Sequence, residues 1–205
     1  TTEIDSDIKC PSTDAKTIVF ERDGYLFAYD IATKKISKVT PTLRGDMLAA
    51  RPSMRELGES TGDFSLSPSG VRLAIEARGD LFSVPAKTGD TRNLTESQGI
   101  RERSPRWSPD GKTIAYLSNE SGDTQIYTRP QMGGVATQIT DEKTNRIAAF
   151  EWSPKGDKIS FTTLMNEVFL LDPVTKKTTL AFKERFGSAP PYDWSPDGKW
   201  IACVI

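Results

Sequence analysis

The side chains that most often carry chemistry are scarce in this sequence. Its 205 residues include no histidine. That removes Ser-His-Asp and Cys-His nucleophile pairs, and with them the commonest zinc and iron ligand. The two cysteines, Cys10 and Cys203, stand at opposite ends of the chain. They are too few for a thiolate metal site or a disulfide framework, and both flank strand-like runs where small buried side chains are expected. Ser67, Ser108, Ser153 and Ser195 each precede a proline. They read as turn residues with no base to activate them. No catalytic residue, metal site or cofactor is therefore expected. One charged cluster remains, made of Arg101, Glu102, Arg103 and Arg106. Arginine suits carboxylates, so these side chains could touch the backbone or termini of a peptide. The competing reading is a set of salt bridges between repeats on a solvated rim. It is the favoured one, because exposed charge clusters are commonly structural.

The elements that must position these residues come from an internal repeat. Trp107-Ser108-Pro109-Asp110-Gly111-Lys112 recurs as Trp152-Ser153-Pro154-Lys155-Gly156-Asp157 and as Trp194-Ser195-Pro196-Asp197-Gly198-Lys199, with a degenerate copy at Leu66-Ser67-Pro68-Ser69-Gly70. Successive prolines are 41, 45 and 42 residues apart. That period, filled with short strands, is the size of one four-stranded propeller blade. Proline presets φ at the second turn position, Asp suits the third, and Gly supplies the positive φ that closes the hairpin. The tryptophan ends a first strand, and an alternating β-rich run such as Thr113–Leu117 or Lys158–Thr162 begins a second. A third strand follows at Gly24–Asp30, Asp80–Val84, Gln125–Thr128 and Glu167–Asp172. A short fourth ends on Val39-Thr40, Leu94-Thr95 and Ile139-Thr140, with a departure at Thr179–Phe182. The signature residues Trp107, Pro109, Gly111, Trp152, Pro154, Gly156, Trp194, Pro196 and Gly198 are read as structural, the rings filling gaps between blades. The fold class is all-β: propeller blades of four antiparallel strands, about four and a half of them.

Composition narrows the partners. Lys and Arg number 27 against 28 Asp and Glu, a net charge of −1. Nucleic acid is not expected as a partner, since phosphate binding needs a basic excess. No stretch approaches the ~20 apolar residues of a membrane span, and the polar Thr1–Asp5 start resembles no signal peptide. A cytoplasmic setting is expected, with the periplasm as the alternative.

The units run roughly over 8–40, 61–95, 103–140 and 147–182, and a fifth begins at Pro191 and stops at Ile205 after its second strand. The chain is thus expected to be a fragment, or to borrow its missing strands from another segment. Thr40 and Thr95 are 55 residues apart, against 45 for Thr95 and Thr140. The extra length, Pro41–Gly62, is rich in Gly, Pro and charge and is either an insertion or a domain boundary, the latter being favoured.

The runs Ala77-Arg78-Gly79-Asp80-Leu81-Phe82-Ser83-Val84-Pro85-Ala86, Arg92-Asn93-Leu94-Thr95 and Gly99-Ile100-Arg101-Glu102-Arg103-Ser104-Pro105, in that order, resemble the tricorn protease family. The Trp-Ser-Pro-Asp-Gly-Lys element alone is less specific, since TolB and many propeller enzymes share it. The resemblance implies a large serine peptidase with a six-bladed propeller, then a seven-bladed one, then a peptidase part with a PDZ domain. By this resemblance residues 1–40 are the last blade of the first propeller and 41–60 the connection. Residues 61–205 are the first three and a half blades of the second. The peptidase region is absent, so no catalytic residue carries over. The resemblance further implies peptides and the remaining domains of a homo-oligomeric parent as partners, with the propeller gating and guiding peptides to the parent's active site. Two readings compete: a TolB-like module that docks a protein, and the propeller half of another hydrolase, such as a prolyl-oligopeptidase-like or amidohydrolase protein.

Overall fold

The computed structural model describes residues 7–42, 56, 58–143, 145–184 and 191–203. Most of the expected connection at 41–60 lies outside them. Among the described residues a 3₁₀ turn at Gly58–Ser60 is the only helical element, and every other element is a strand. The chain divides into two units, Thr1–Met54 and Arg55–Ile205.

The first unit is one sheet of β1 (Lys9–Thr13), β2 (Thr17–Arg22), β3 (Tyr25–Asp30) and β4 (Lys35–Val39), antiparallel and in chain order. Polar turns join them. Asp14 accepts the amides of Lys16 and Thr17, and Asp30 accepts that of Thr33. These amide contacts pull both carboxyls below the usual range. Phe20 and Phe27 stack across the sheet at 5.8 Å. Cys10 is exposed on β1, and Cys203 in the second unit is half-buried. The expectation of buried cysteines is corrected: all of β1 is exposed, so flanking a strand does not bury a thiol.

The second unit repeats the same meander. Its sheets are β5 (Thr61–Leu66), β6 (Arg72–Ala77), β7 (Asp80–Pro85) and β8 (Arg92–Asn93); β9 (Glu102–Trp107), β10 (Thr113–Ser118), β11 (Gln125–Pro130) and β12 (Thr137–Gln138); β13 (Ile147–Trp152), β14 (Ile159–Thr163), β15 (Glu167–Leu171) and β16 (Thr178–Lys183); and a pair, β17 (Tyr192–Trp194) with β18 (Ile201–Cys203). The expected blades of four antiparallel strands are what the chain forms. The first strands of neighbouring sheets, β5 with β9 and β9 with β13, approach one another. They form the inner edge of the arrangement.

The Ser-Pro-x-Gly hairpins close as their chemistry requires. The Gly70, Gly111, Gly156 and Gly198 amides donate to the carbonyls of Ser67, Ser108, Ser153 and Ser195 at 2.8, 2.8, 2.9 and 2.8 Å. Each serine hydroxyl then accepts the amide that opens the second strand, as Thr113 donates to Ser108 at 3.0 Å. The Ser108 hydroxyl donates to Asp110 at 2.6 Å, and that of Ser195 to Asp197 at 2.6 Å. The serine hydroxyls are engaged within the turns themselves.

Two apolar seams hold the sheets together. One joins Ala74, Leu81 and Leu94 to Trp107, Ile114, Tyr116 and Tyr127 of the next sheet. The other joins Ala115, Leu117, Ile126 and Ile139 to Ile147, Phe150, Ile159, Phe161 and Leu171, with Trp152 against it. Each repeat tryptophan also donates its indole N–H to the preceding sheet. Trp107 reaches the Ser65 carbonyl at 3.1 Å, Trp152 the Arg106 carbonyl at 3.3 Å, and Trp194 the Ser160 hydroxyl at 2.9 Å. The ring fills the seam while its one polar atom stays paired, the condition for burying tryptophan cheaply.

The fourth strands end earlier than their sequence suggests. Leu94-Thr95 and Ile139-Thr140 fall just past β8 and β12. The Leu94 amide donates to the Leu81 carbonyl at 2.7 Å, and the Leu81 amide donates to the Thr95 hydroxyl at 3.0 Å. Ile139, Ile126 and Thr140 repeat this arrangement at 2.9 and 2.8 Å. A side-chain oxygen replaces the carbonyl that a longer strand would offer, so pairing continues after the strand has ended.

Candidate functional site

The cationic cluster is set by β9 and its approach segment. A β-bulge interrupts β9 between the pairs Arg106↔Ala115 and Arg103↔Leu117. Ser104 sits there at φ 54°. Without the bulge, residues three apart would lie on opposite faces. With it, Arg103 and Arg106 share the face that carries Ala115 and Leu117. Glu102 pairs with Ser118 on the other face, toward the preceding sheet.

The four residues therefore separate. Glu102 is 3% exposed and accepts the Ser97 hydroxyl at 2.8 Å on each carboxylate oxygen. Burial pushes its carboxyl up, the Ser97 bond opposes this, and the charge of Asp80 adds to the rise. It is a seam residue, buried between two sheets. Arg106 pairs with Asp63 of the neighbouring inner strand at 2.8 Å and donates to the Pro105 carbonyl at 2.9 Å. Arg101 is exposed, with its guanidinium 3.9 Å from Glu76 of the preceding sheet. Arg103 is half-buried. Burial weakens its hold on its proton, and so do the charges of Arg101 and Arg146.

Glu76 organises this corner. Its carboxylate accepts the Ser104 amide at 3.3 Å as well as facing Arg101. It lies so close over Gly62 that a Cβ there would meet Glu76 Cδ at 2.8 Å. Glu76, Gly62, Arg101, Arg78, Gly79 and Ile100, with Ser60 and Thr61, line an open pocket of about 480 Å³. Sequence reasoning picked Arg101 but not Arg78 or Glu76. Only the pairing of the hairpin tip with the next approach segment brings these together. Successive signature turns lie next to each other: a Cβ on Gly111 would be 3.6 Å from Pro68 Cδ, and one on Gly156 3.2 Å from Pro109 Cδ.

The inner edge presents a second group of charges. Asp63, Glu151 and Asp193 are exposed on β5, β13 and β17, and Arg106 is partly exposed on β9. Among the described residues no helix is long and apolar enough to cross a membrane.

Comparisons with known proteins agree with this architecture. The family described as tricorn protease second beta propeller domain matches residues 61–205. The tricorn protease homolog of Saccharolobus solfataricus is 22% identical over 191 residues, which are 93% of this chain and 17% of that protein. The crystal structure of the tricorn protease superposes with a TM-score of 0.63 at 21% identity, over 99% of this chain and 19% of that one. TolB from Acinetobacter baumannii gives a TM-score of 0.56 at 20% identity, over 96% and 48% of the two chains. The two structural likenesses speak of the fold. The chain spans less than a quarter of the length of the tricorn relatives it matches.

Proposed function

This chain belongs to the family of tricorn protease second β-propeller domains, and on that footing we propose that it is the non-catalytic, peptide-guiding part of a serine-type peptidase. The observation that carries the reading is the inner edge. The first strands of successive sheets come together there, and they present Asp63, Arg106, Glu151 and Asp193. An opening bounded by strand edges filters by size. It admits an extended peptide and turns away a folded protein. Spaced charges of both signs, one pair already matched, hold a passing chain weakly and without strong sequence preference.

On this reading residues 1–40 are the last blade of a preceding propeller and 41–60 the connection. Residues 61–205 are the opening blades of the next, and the family match beginning at residue 61 supports that division. The partners are peptides and the remaining domains of a homo-oligomeric parent. Photo-crosslinking with a peptide that bears a reactive benzophenone tests the reading. Adducts on the first strands support it, and adducts confined to the outer strands β8, β12 and β16 overturn it.

A further inference from the structure

We propose that the pocket walled by Arg78 and Arg101 is a seat for a carboxylate of the guided peptide. This inference rests on the peptide-guiding reading and names the ligand chemistry at one corner of it.

The placement of Arg78 is the first reason. It occupies the two-residue turn between β6 and β7, with Ala77 paired to Asp80 across it. Arg78 has φ 55° and Gly79 φ 91°. This left-handed pair favours Asn or Asp followed by Gly. The corresponding turn of the first unit is Asp23-Gly24, with φ 53° and 75°, and Asn166 takes φ 59° between β14 and β15. Lys34 and Lys176 take the same conformation at φ 57° and 58°, so the turn tolerates a long cationic side chain, and here it leaves Arg78 exposed at the hairpin tip.

The second reason is how tightly the two arginine backbones are held together. The Glu102 amide donates to the Gly79 carbonyl at 2.7 Å, and the Arg101 amide donates to Asn119 Oδ1 at 2.7 Å. A Cβ on Gly79 would lie 3.4 Å from the Ile100 carbonyl and 3.8 Å from Arg101 Cα. The hairpin tip and the approach segment are thus in contact across the seam between sheets. Two arginines line one pocket, on backbone segments that are pinned to each other.

The third reason is charge. Arg78, Arg101 and the nearby Arg103 face one carboxylate, Glu76, at this corner. Glu76 touches Arg101 only at 3.9 Å, and among the described residues Arg78 has no ion pair or side-chain hydrogen bond. The forked donors of both arginines are left for a ligand. A carboxylate is the planar acceptor they fit. Either a peptide's C-terminus or an acidic side chain can supply it.

The test is fluorescence anisotropy on the full chain with three labelled probes of otherwise identical sequence. One is a neutral hexapeptide with a free C-terminus, one is the same peptide amidated, and one is amidated with an internal aspartate. The variants are Arg78→Asn, which suits the left-handed turn, Arg101→Gln, and a control on the opposite rim, Lys112→Gln. The free-acid peptide is expected to bind most tightly. Amidation, Arg78→Asn and Arg101→Gln are each expected to weaken it about tenfold, with Lys112→Gln without effect. Recovery of binding by the internal aspartate assigns the carboxylate to a side chain as well as to the terminus. If all three peptides bind alike and neither arginine variant changes affinity, the seat is overturned while peptide guiding stands. If no peptide binds the unsubstituted chain, both fall together.

Discussion

The contact between successive Ser-Pro-x-Gly turns makes a sharp quantitative prediction. Gly70, Gly111 and Gly156 hold the same turn position at φ 69°, 70° and 72°. Changing any of them to alanine carries the same left-handed penalty, about 1–2 kcal/mol, and the same effect on the unfolded chain. Their surroundings differ. A Cβ at Gly70 would meet nothing within 4 Å; one at Gly111 would meet Pro68 Cδ at 3.6 Å, an ordinary contact; one at Gly156 would meet Pro109 Cδ at 3.2 Å. Neither partner is free to give: the proline ring is fixed in its own turn, and the alanine carbon is fixed by the backbone. Gly156→Ala is expected to cost about 1 kcal/mol more than Gly70→Ala, at the low end of overpacking, and Gly111→Ala to match Gly70→Ala. Urea unfolding followed by tryptophan emission measures this in the second unit, where Trp107, Trp152, Trp194 and Trp200 all lie. In a Pro109→Ala background the excess at Gly156 should disappear, since the ring that causes it is gone. Equal losses at Gly70 and Gly156, or an excess that persists without Pro109, would refute the claim that these turns pack blade on blade.

Two further outcomes follow from the seams. Thr140→Val removes the oxygen that accepts the Ile126 amide at 2.8 Å and the hydroxyl that donates to Gln125 at 2.7 Å. It should cost about 1–3 kcal/mol in urea unfolding, the penalty of a stranded buried amide, and Thr140→Ser should restore most of that. Glu102 has its carboxyl raised in the folded chain, so its contribution to stability is full below the unfolded value and is lost as pH rises through the folded one. Glu102→Gln should therefore gain on the unsubstituted protein as pH rises above the usual carboxylate range in parallel thermal melts. Asp110, held below its usual range by the Ser108 hydroxyl and the Lys112 amide, has the opposite sign: its contribution is present at neutral pH and is lost on acidification.

Much of this architecture was legible from turn chemistry. Ser-Pro-Asp-Gly specifies a hairpin by itself, so repeating it fixes where the first two strands of each blade meet, and the alternation after it marks the second. The tryptophan was readable as seam filler because a large apolar ring ending an inner strand suits the gap between neighbouring blades better than it suits a binding site. What escaped depends on contacts distant in sequence. The ends of β8 and β12 are set by threonine hydroxyls that reach strands 14 residues away, which a local pattern cannot show. The cluster Arg101, Glu102, Arg103 and Arg106 reads as one patch in sequence. The bulge at Ser104 and the alternation of β9 send Glu102 into the seam, Arg106 to Asp63 and Arg101 to a pocket shared with Arg78. Arg78 itself was invisible as a site residue, because a hairpin tip gains neighbours only when the next sheet docks beside it.

The central claim is that extended peptides travel along the inner edge of these blades. The most direct measurement is to map, by mass spectrometry, where a benzophenone-bearing peptide attaches under ultraviolet light. Adducts within residues 101–106, 147–151 and 191–193, suppressed by excess unlabelled peptide, are the predicted result. Adducts confined to β8, β12 and β16, or labelling that excess peptide does not reduce, would contradict it.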